Sequence, residues 1–255
     1  MHPSQLFDLK DQVALVTGAG AGIGRGIALT FADAGASVVV SDLKLETAEA
    51  VAREITEKGG KAVGIACNVT DDTSRQAAVQ AALDAFGSLT ILVNNAGGGG
   101  PKPFEMPLSD FVWAYELNVF SIFRLCQLAA PHIEKAGGGA VLNITSMAGE
   151  NKNVKMSSYA SSKAAENHLT RNLAYDLGPK NIRVNAIAPG AIRTAALASV
   201  LTPAIEAKML QHTPIKRLGE PEDIARAALF FCSPASAWVS GQILTVSGGG
   251  VQELD

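Results

Sequence analysis

Short apolar runs rich in β-branched residues recur along the chain, and longer stretches with apolar residues at helical spacing lie between them. Val13–Thr17, Ser37–Ser41, Lys61–Cys67, Leu89–Val93, Ala140–Thr145, Ile182–Ile187 and Gln242–Val246 read as strands. Gly24–Ala34, Leu45–Lys58, Asp71–Phe86, Ser109–Glu134 and Ser158–Leu177 read as helices. Strands that alternate with helices imply parallel pairing through crossover connections. Several strands are apolar almost throughout, as expected when helices cover both faces of the sheet. No internal repeat or polar linker divides the chain. The glycine clusters at 97–100, 137–139 and 248–250 fall at turns between elements. An α/β fold follows: one doubly wound domain over residues 1–255, with a mainly parallel seven-stranded sheet and helices on both faces. Such sheets bind ligands beyond the carboxyl ends of their strands, so the chemistry is expected in the segments just after them.

Composition narrows the picture. Of 255 residues, 47% are hydrophobic and 18% charged, a balance that buries a sizeable core and excludes disorder. The net charge is −3 and there is no long basic run, so neither nucleic acid nor an anionic membrane surface is an expected partner. No apolar run approaches the roughly 20 residues that cross a bilayer. Met1–Lys10 lacks a basic segment followed by an apolar one, so it does not read as a secretory signal. A cytoplasmic setting is the expectation. Cys67, Cys126 and Cys232 show no CxxC spacing and are expected to pack as small apolar residues. The four histidines are scattered, so no metal site is expected.

The first strand runs into Thr17-Gly18-Ala19-Gly20-Ala21-Gly22-Ile23-Gly24 (17–24), where a helix begins. Glycines permit a tight turn and a close backbone approach to a pyrophosphate, and the helix N-terminus supplies N–H groups and partial positive charge. A glycine-rich turn after a first strand and before a helix points to dinucleotide binding. Asp42 ends the second strand. A carboxylate there accepts hydrogen bonds from both ribose hydroxyls and repels a 2′-phosphate, which favours NAD over NADP; alternatively, Asp42 only caps the next helix. The loop carries no Arg or Lys before Gly22, and Arg25 is the nearest cation.

The glycine pattern at Thr17, Gly18, Gly22 and Gly24 resembles the TGxxxGxG of the short-chain dehydrogenase/reductase family. The resemblance continues through Asn94-Asn95-Ala96-Gly97, Asn118, Ser146, Tyr159-Ala160-Ser161-Ser162-Lys163 and Pro189-Gly190, in the family's order and over nearly the whole chain. It implies a Rossmann-like fold, an NAD cofactor and a homotetramer. The segments at 94–104, 116–121, 145–153 and 240–254 resemble the hydroxysteroid dehydrogenases of that family more closely. That likeness implies reversible oxidation of the 7α-hydroxyl of a bile acid to the 7-ketone.

Tyr159 and Lys163 are four apart in a helical stretch and so share one face. A phenol is a poor base at neutral pH. A fixed ammonium about 4 Å away would stabilise the phenolate by roughly 4 kcal/mol at an effective dielectric of 20, which is the right size of effect for proton transfer. Tyr159 is then expected to take the alcohol proton as hydride leaves, and Ser146 to hydrogen-bond the substrate oxygen. By resemblance, Lys163 also holds the nicotinamide ribose, and Asn118 anchors a water that feeds protons to Lys163. Resemblance further places Gly18, Gly22, Ile23, Gly24, Leu43, Asn95, Ile192, Arg193 and Thr194 along the cofactor, and Gly99 and Asn151 against the bile acid. Asn68-Val69 stands where the family usually has an acidic residue beside the adenine; an Asn can still accept a hydrogen bond through its amide oxygen.

After Pro189 comes a largely apolar stretch, from Ala191 and Ile192 through Ala195, Ala196, Leu197, Val200, Leu201 and Ile205 to Met209. It reads either as a packed helix or as a lid (190–213) over an apolar substrate. Lys208, Lys216 and Arg217 either meet a bile-acid carboxylate or form a solvated face. Two other functions compete. A 3-oxoacyl carrier-protein reductase normally uses NADP, which Asp42 disfavours. A non-catalytic dinucleotide sensor would have no need of Ser146, Tyr159 and Lys163 together. No serine lies in G-x-S-x-G, which argues against a serine hydrolase.

Overall fold

The computed structural model describes residues 2, 5–152, 154–199 and 201–250. In chain order the elements are β1 (Val13–Thr17), α1 (Gly22–Asp33), β2 (Ser37–Asp42), α2 (Leu45–Glu57), β3 (Lys61–Ala66), α3 (Asp72–Phe86), β4 (Ile91–Asn94), α4 (Leu108–Tyr115), α5 (Ser121–Lys135), β5 (Gly139–Ile144), α6 (Ser157–Leu177), β6 (Ile182–Pro189), α7 (Ala195–Ala198), α8 (Pro203–Gln211), α9 (Pro221–Cys232) and β7 (Ile243–Val246). The seven strands form one sheet in the order β3-β2-β1-β4-β5-β6-β7. Every neighbouring pair is parallel. The order runs outward from β1 in one direction and from β4 in the other, so the winding reverses between β1 and β4, where such folds bind ligands.

Alternate side chains of the central strands feed two apolar layers. Ala14 and Val16 join Ile27 and Phe31 of α1, Val51 and Ile55 of α2 and Ile224 and Phe231 of α9 on one face. Val13 and Leu15 join Val79 of α3, Leu125 and Ile133 of α5 and Leu173 of α6 on the other. This is why β1 and β4 are buried at every position, whereas the edge strands β3 and β7 are not. Cys67, Cys126 and Cys232 are buried and free. Burial pushes their thiols up to about 11, 12 and 12 respectively. Among the described residues, no helix is long and apolar enough to cross a membrane.

Two expectations need correction. The stretch 109–134 is not one α-helix, because a π turn at Glu116–Phe120 separates α4 from α5. A π turn wraps an extra residue into the helix, and it carries Asn118 into the interior. The apolar stretch after Pro189 is not one packed helix either. It forms the short α7 and α8, and α8 has no buried residue. Val200 lies outside the described residues.

Phe31 is fully buried among α1, the sheet and α9. Phe31→Ala should destabilise the protein by about 3–5 kcal/mol, as a large cavity in a packed layer does. Urea unfolding would show this as a lower midpoint with an unchanged slope.

Candidate active site

The carboxyl ends of β1, β4, β5 and β6 border a cleft of about 300 Å³, lined in part by Gly22, Ile23, Asn95, Tyr159, Lys163 and Thr194. On one side is the glycine loop. Gly18 and Gly22 have φ of 62° and 55°, left-handed values that side chains disfavour. Gly24 sits so tightly that a Cβ there would run into the Gly18 carbonyl and the Asn95 amide. Asn95 braces the loop: its Nδ2 donates to the carbonyls of Thr17 and Gly18, at 2.8 and 3.0 Å, and its backbone N–H donates to Thr17 Oγ1. The N-cap of α1, Ala21, offers no side-chain acceptor. The first N–H groups of α1 therefore stay available to an anion.

Asp42 ends β2 behind this loop. Its Oδ2 accepts from the Gly20 N–H at 2.9 Å, and its Oδ1 accepts from Thr47 Oγ1 at 3.2 Å and from the Lys44 N–H at 3.4 Å. Asp42 thus fastens the glycine loop to the start of α2, a role outside both sequence readings. Arg25, the nearest cation, is bound to Glu54 at 2.6 Å. Leu43 is exposed and Val69 buried. Asn68 differs from expectation: its Oδ1 already accepts from the N–H and hydroxyl of Thr70, at 3.1 and 2.8 Å. The oxygen expected to serve a ligand is occupied by a local turn.

On the other side stand Tyr159 and Lys163, both on α6 and both lining the cleft. Lys163 is buried, and its Nζ donates to the Ile144 carbonyl at 2.9 Å and to Glu166 Oε2 at 2.7 Å. Burial works against the ammonium, but the charges of Glu166 and Tyr159 and the Glu166 hydrogen bond outweigh it, so the Lys163 pKa lies above the ordinary lysine value. Glu166 is the residue that sequence reasoning missed. Its i, i+3 spacing from Lys163 was visible but resembles an ordinary surface pair. Ser146 follows β5, where its Oγ accepts from the Ala148 N–H at 3.1 Å. An accepting hydroxyl keeps its own proton to donate.

Asn118 reaches the same region from the π turn. Its Oδ1 accepts from the Gly98 N–H at 3.0 Å, and its Nδ2 donates to the Gly98 carbonyl and Ser162 Oγ at 2.9 and 3.0 Å. A side chain at Gly97 would begin 3.0 Å from Asn118 Oδ1 and 3.3 Å from Lys163 Nζ. Gly99 lies against the Tyr159 ring. The Asn151 side-chain nitrogen is buried with no partner among the described residues.

Thr194 lines the cleft and caps α7 through a hydrogen bond from the Leu197 N–H. Ile192 is buried in the core beside α9. Arg193 is turned to Glu206 and Glu220. Arg217 is held by Asp223, and Lys216 donates to the carbonyls of Leu210 and Gln211. The site therefore joins an anion cradle to a phenol and a buried ammonium, an arrangement suited to moving a proton beside a bound nucleotide.

Comparison with known proteins agrees with this geometry. The family model described as enoyl-(acyl carrier protein) reductase matches residues 18–250. A solved short-chain type dehydrogenase/reductase from Mycobacterium marinum is 36% identical, with a TM-score of 0.92, over 96% of this chain and 98% of that one. The chain belongs to the short-chain dehydrogenase/reductase family. The 7alpha-hydroxysteroid dehydrogenase of Escherichia coli (strain K12) is 64% identical to this short-chain dehydrogenase/reductase over the full length of both. A solved 7 alpha-hydroxysteroid dehydrogenase, complexed with NADH and 7-oxo glycochenodeoxycholic acid, matches all of both chains at 64% identity with a TM-score of 0.97.

Asn118→Ala in this short-chain dehydrogenase/reductase removes the partner of the Gly98 N–H and carbonyl and the donor to Ser162 Oγ, which keeps its own bond to the Tyr159 carbonyl. With both Gly98 groups left unpaired, the loss should be about 2 kcal/mol or more. The melting temperature should fall, and the 97–100 loop should become sensitive to limited proteolysis.

Proposed function

We propose that this chain is an NAD-dependent 7α-hydroxysteroid dehydrogenase that reversibly oxidises the 7α-hydroxyl of bile acids to the 7-ketone. The full-length 64% identity to an enzyme of that name carries the reading. The cleft fits the cofactor: left-handed glycines, uncapped α1 N–H groups and a tight Gly24 make a cradle for a pyrophosphate. Gly18, Gly22, Ile23 and Gly24 would hold that end, with Asn95 bracing them. Leu43, Asn68 and Val69 would border the adenine, Asn68 through its amide nitrogen. Ile192, Arg193 and Thr194 would border the nicotinamide end, Ile192 and Arg193 through their main chain. Bound NAD supplies the hydride acceptor.

The chain's own residues handle the proton. Tyr159 takes it from the substrate hydroxyl in oxidation and returns it in reduction. Lys163, held in place by Ile144 and Glu166, would stabilise the phenolate and hold the nicotinamide ribose. Ser146, with its hydroxyl proton free to donate, holds the substrate oxygen. Asn118 and Lys163 both border Gly97, and Asn118 would anchor a water that feeds protons to Lys163. Gly99 and Asn151 would contact the sterol, Asn151 through its unpaired amide. The exposed, apolar α7–α8 segment would close over it.

The proposal includes a homotetramer in a cytoplasmic setting. Val112, Trp113, Phe120 and Phe123 are exposed along α4–α5, and Tyr175, Trp238 and Leu244 are exposed around the β7 edge. Two apolar faces of that kind support two kinds of subunit contact. The three free thiols fit a reducing compartment.

Cholate incubated with the protein and NAD should yield reduced cofactor and a 7-keto product identified by mass spectrometry and NMR. Tyr159→Phe should lower turnover by about a hundredfold or more while NADH fluorescence still reports binding. No oxidation of cholate would remove the substrate assignment, and undiminished turnover by the Phe variant would remove the role of Tyr159.

Asp42→Ala should raise kcat/KM with NADP relative to NAD by roughly tenfold or more, since the repulsion of a 2′-phosphate disappears. A ratio unchanged from the wild type would place cofactor selection elsewhere.

A further inference from the structure

We propose, on the reading of Tyr159 and Lys163 given above, that Glu166 is a positioning residue whose buried carboxylate orients Lys163 and offsets the ammonium charge felt by Tyr159. Glu166 lies about one helical turn beyond Lys163 on α6 and is fully buried. One carboxylate oxygen accepts from Lys163 Nζ at 2.7 Å. The other, Oε1, is buried without a partner among the described residues. A carboxylate kept in the interior with one oxygen unsatisfied is expensive. Anchoring the lysine does not demand it, since the Ile144 carbonyl already holds Nζ at 2.9 Å. An ammonium has three donors. With one on Ile144 and one on Glu166, the third is left for the cleft side, where Tyr159 also lies.

Burial pushes the Glu166 carboxyl up to about 7, against the opposing pull of Lys163. Lys163 stays charged throughout. The centre therefore carries a net positive charge when Glu166 is protonated and none when it is ionised. In a low-dielectric interior this difference reaches the phenol, which lies about two helical turns from Glu166 on the same helix. Ionised Glu166 weakens the field that favours the Tyr159 phenolate, so removing its charge should favour that phenolate.

Among the described residues, no other titratable group competes for this role. On α6 itself, Lys163 and Tyr159 face the pair. Among the elements packed on α6, α4 carries Tyr115 and Asp110, the latter paired with Lys102. The π turn carries Glu116, which is exposed. On β6, Arg183 donates to the Phe231 carbonyl and Ser236 Oγ. The turn after α6 carries Lys180, paired with Glu134. Of these groups, Lys163 alone acts on the Glu166 carboxyl.

The test is the pH dependence of kcat/KM for cholate oxidation at saturating NAD, with melting temperatures alongside, for the wild type, Glu166→Gln, Glu166→Leu and Tyr159→Phe. Glutamine keeps an oxygen for Lys163 without the charge. Leucine removes both polar atoms, in case an unpaired amide nitrogen prevents folding. In each folded variant the midpoint of the acid limb should move down by roughly half a pH unit to one unit. An unchanged or higher midpoint overturns the proposal. The wild type offers a readout without substitution: its acid limb should be shallower than a single-proton titration, because ionising Glu166 opposes ionising Tyr159. A single-proton limb that is also unshifted in the variants counts against it. Turnover retained by Tyr159→Phe would instead bring down the proton-transfer reading on which the proposal is built.

Discussion

An ammonium that is buried must be compensated on every side, and the active centre is organised around meeting that demand for Lys163. Its partners come from three places: the last residue of β5 through the Ile144 carbonyl, the next turn of α6 through Glu166, and the preceding turn through Tyr159. Because the strand end fixes the nitrogen, it also fixes the helix face that carries the phenol. Desolvating the lysine is costly, and only this set of contacts makes it tolerable.

The elements beneath the site are tied together by polar links that a purely apolar core would lack. Asn94 Nδ2 donates to Asn143 Oδ1, Asn143 Nδ2 to Thr170 Oγ1, and Thr170 Oγ1 to the Glu166 carbonyl, each at 2.9 Å. This run crosses from β4 to β5 to α6 and sets their relative register. Asn118 adds a separate link by binding Gly98 and Ser162 together. On the cofactor side, Asn95 and the Thr17 hydroxyl do the same for β1 and β4. Buried hydrogen-bond networks of this kind favour one arrangement of backbone over many, even though Asn94 Oδ1 has no partner among the described residues.

Much of this was legible beforehand. All seven strands form within about two residues of their expected bounds, since short apolar runs between helical stretches have few alternatives. The glycine loop and the Tyr159–Lys163 spacing were equally plain. The π turn was not, because an extra residue per turn leaves the apolar pattern of 109–134 almost unaltered while redirecting Asn118. The Asn68 turn was not visible either, because a residue two positions away takes up its oxygen. The segment after Pro189 was ambiguous because small apolar residues suit a core and an exposed flap alike; the structure leaves α8 with no buried residue.

By itself, the sequence determined the parallel α/β order, the phosphate cradle and the shared helical face of Tyr159 and Lys163. These depend on contiguous residues whose periodicity and backbone freedom act locally. The tertiary structure alone decided that Glu166 and Lys163 form a buried pair and not a solvated one, that Asp42 fastens the glycine loop, and that Asn118 is drawn inward. Burial and hydrogen-bond partners come from strands and turns far apart in the chain, and the value of a charge depends on the medium that those distant segments build around it.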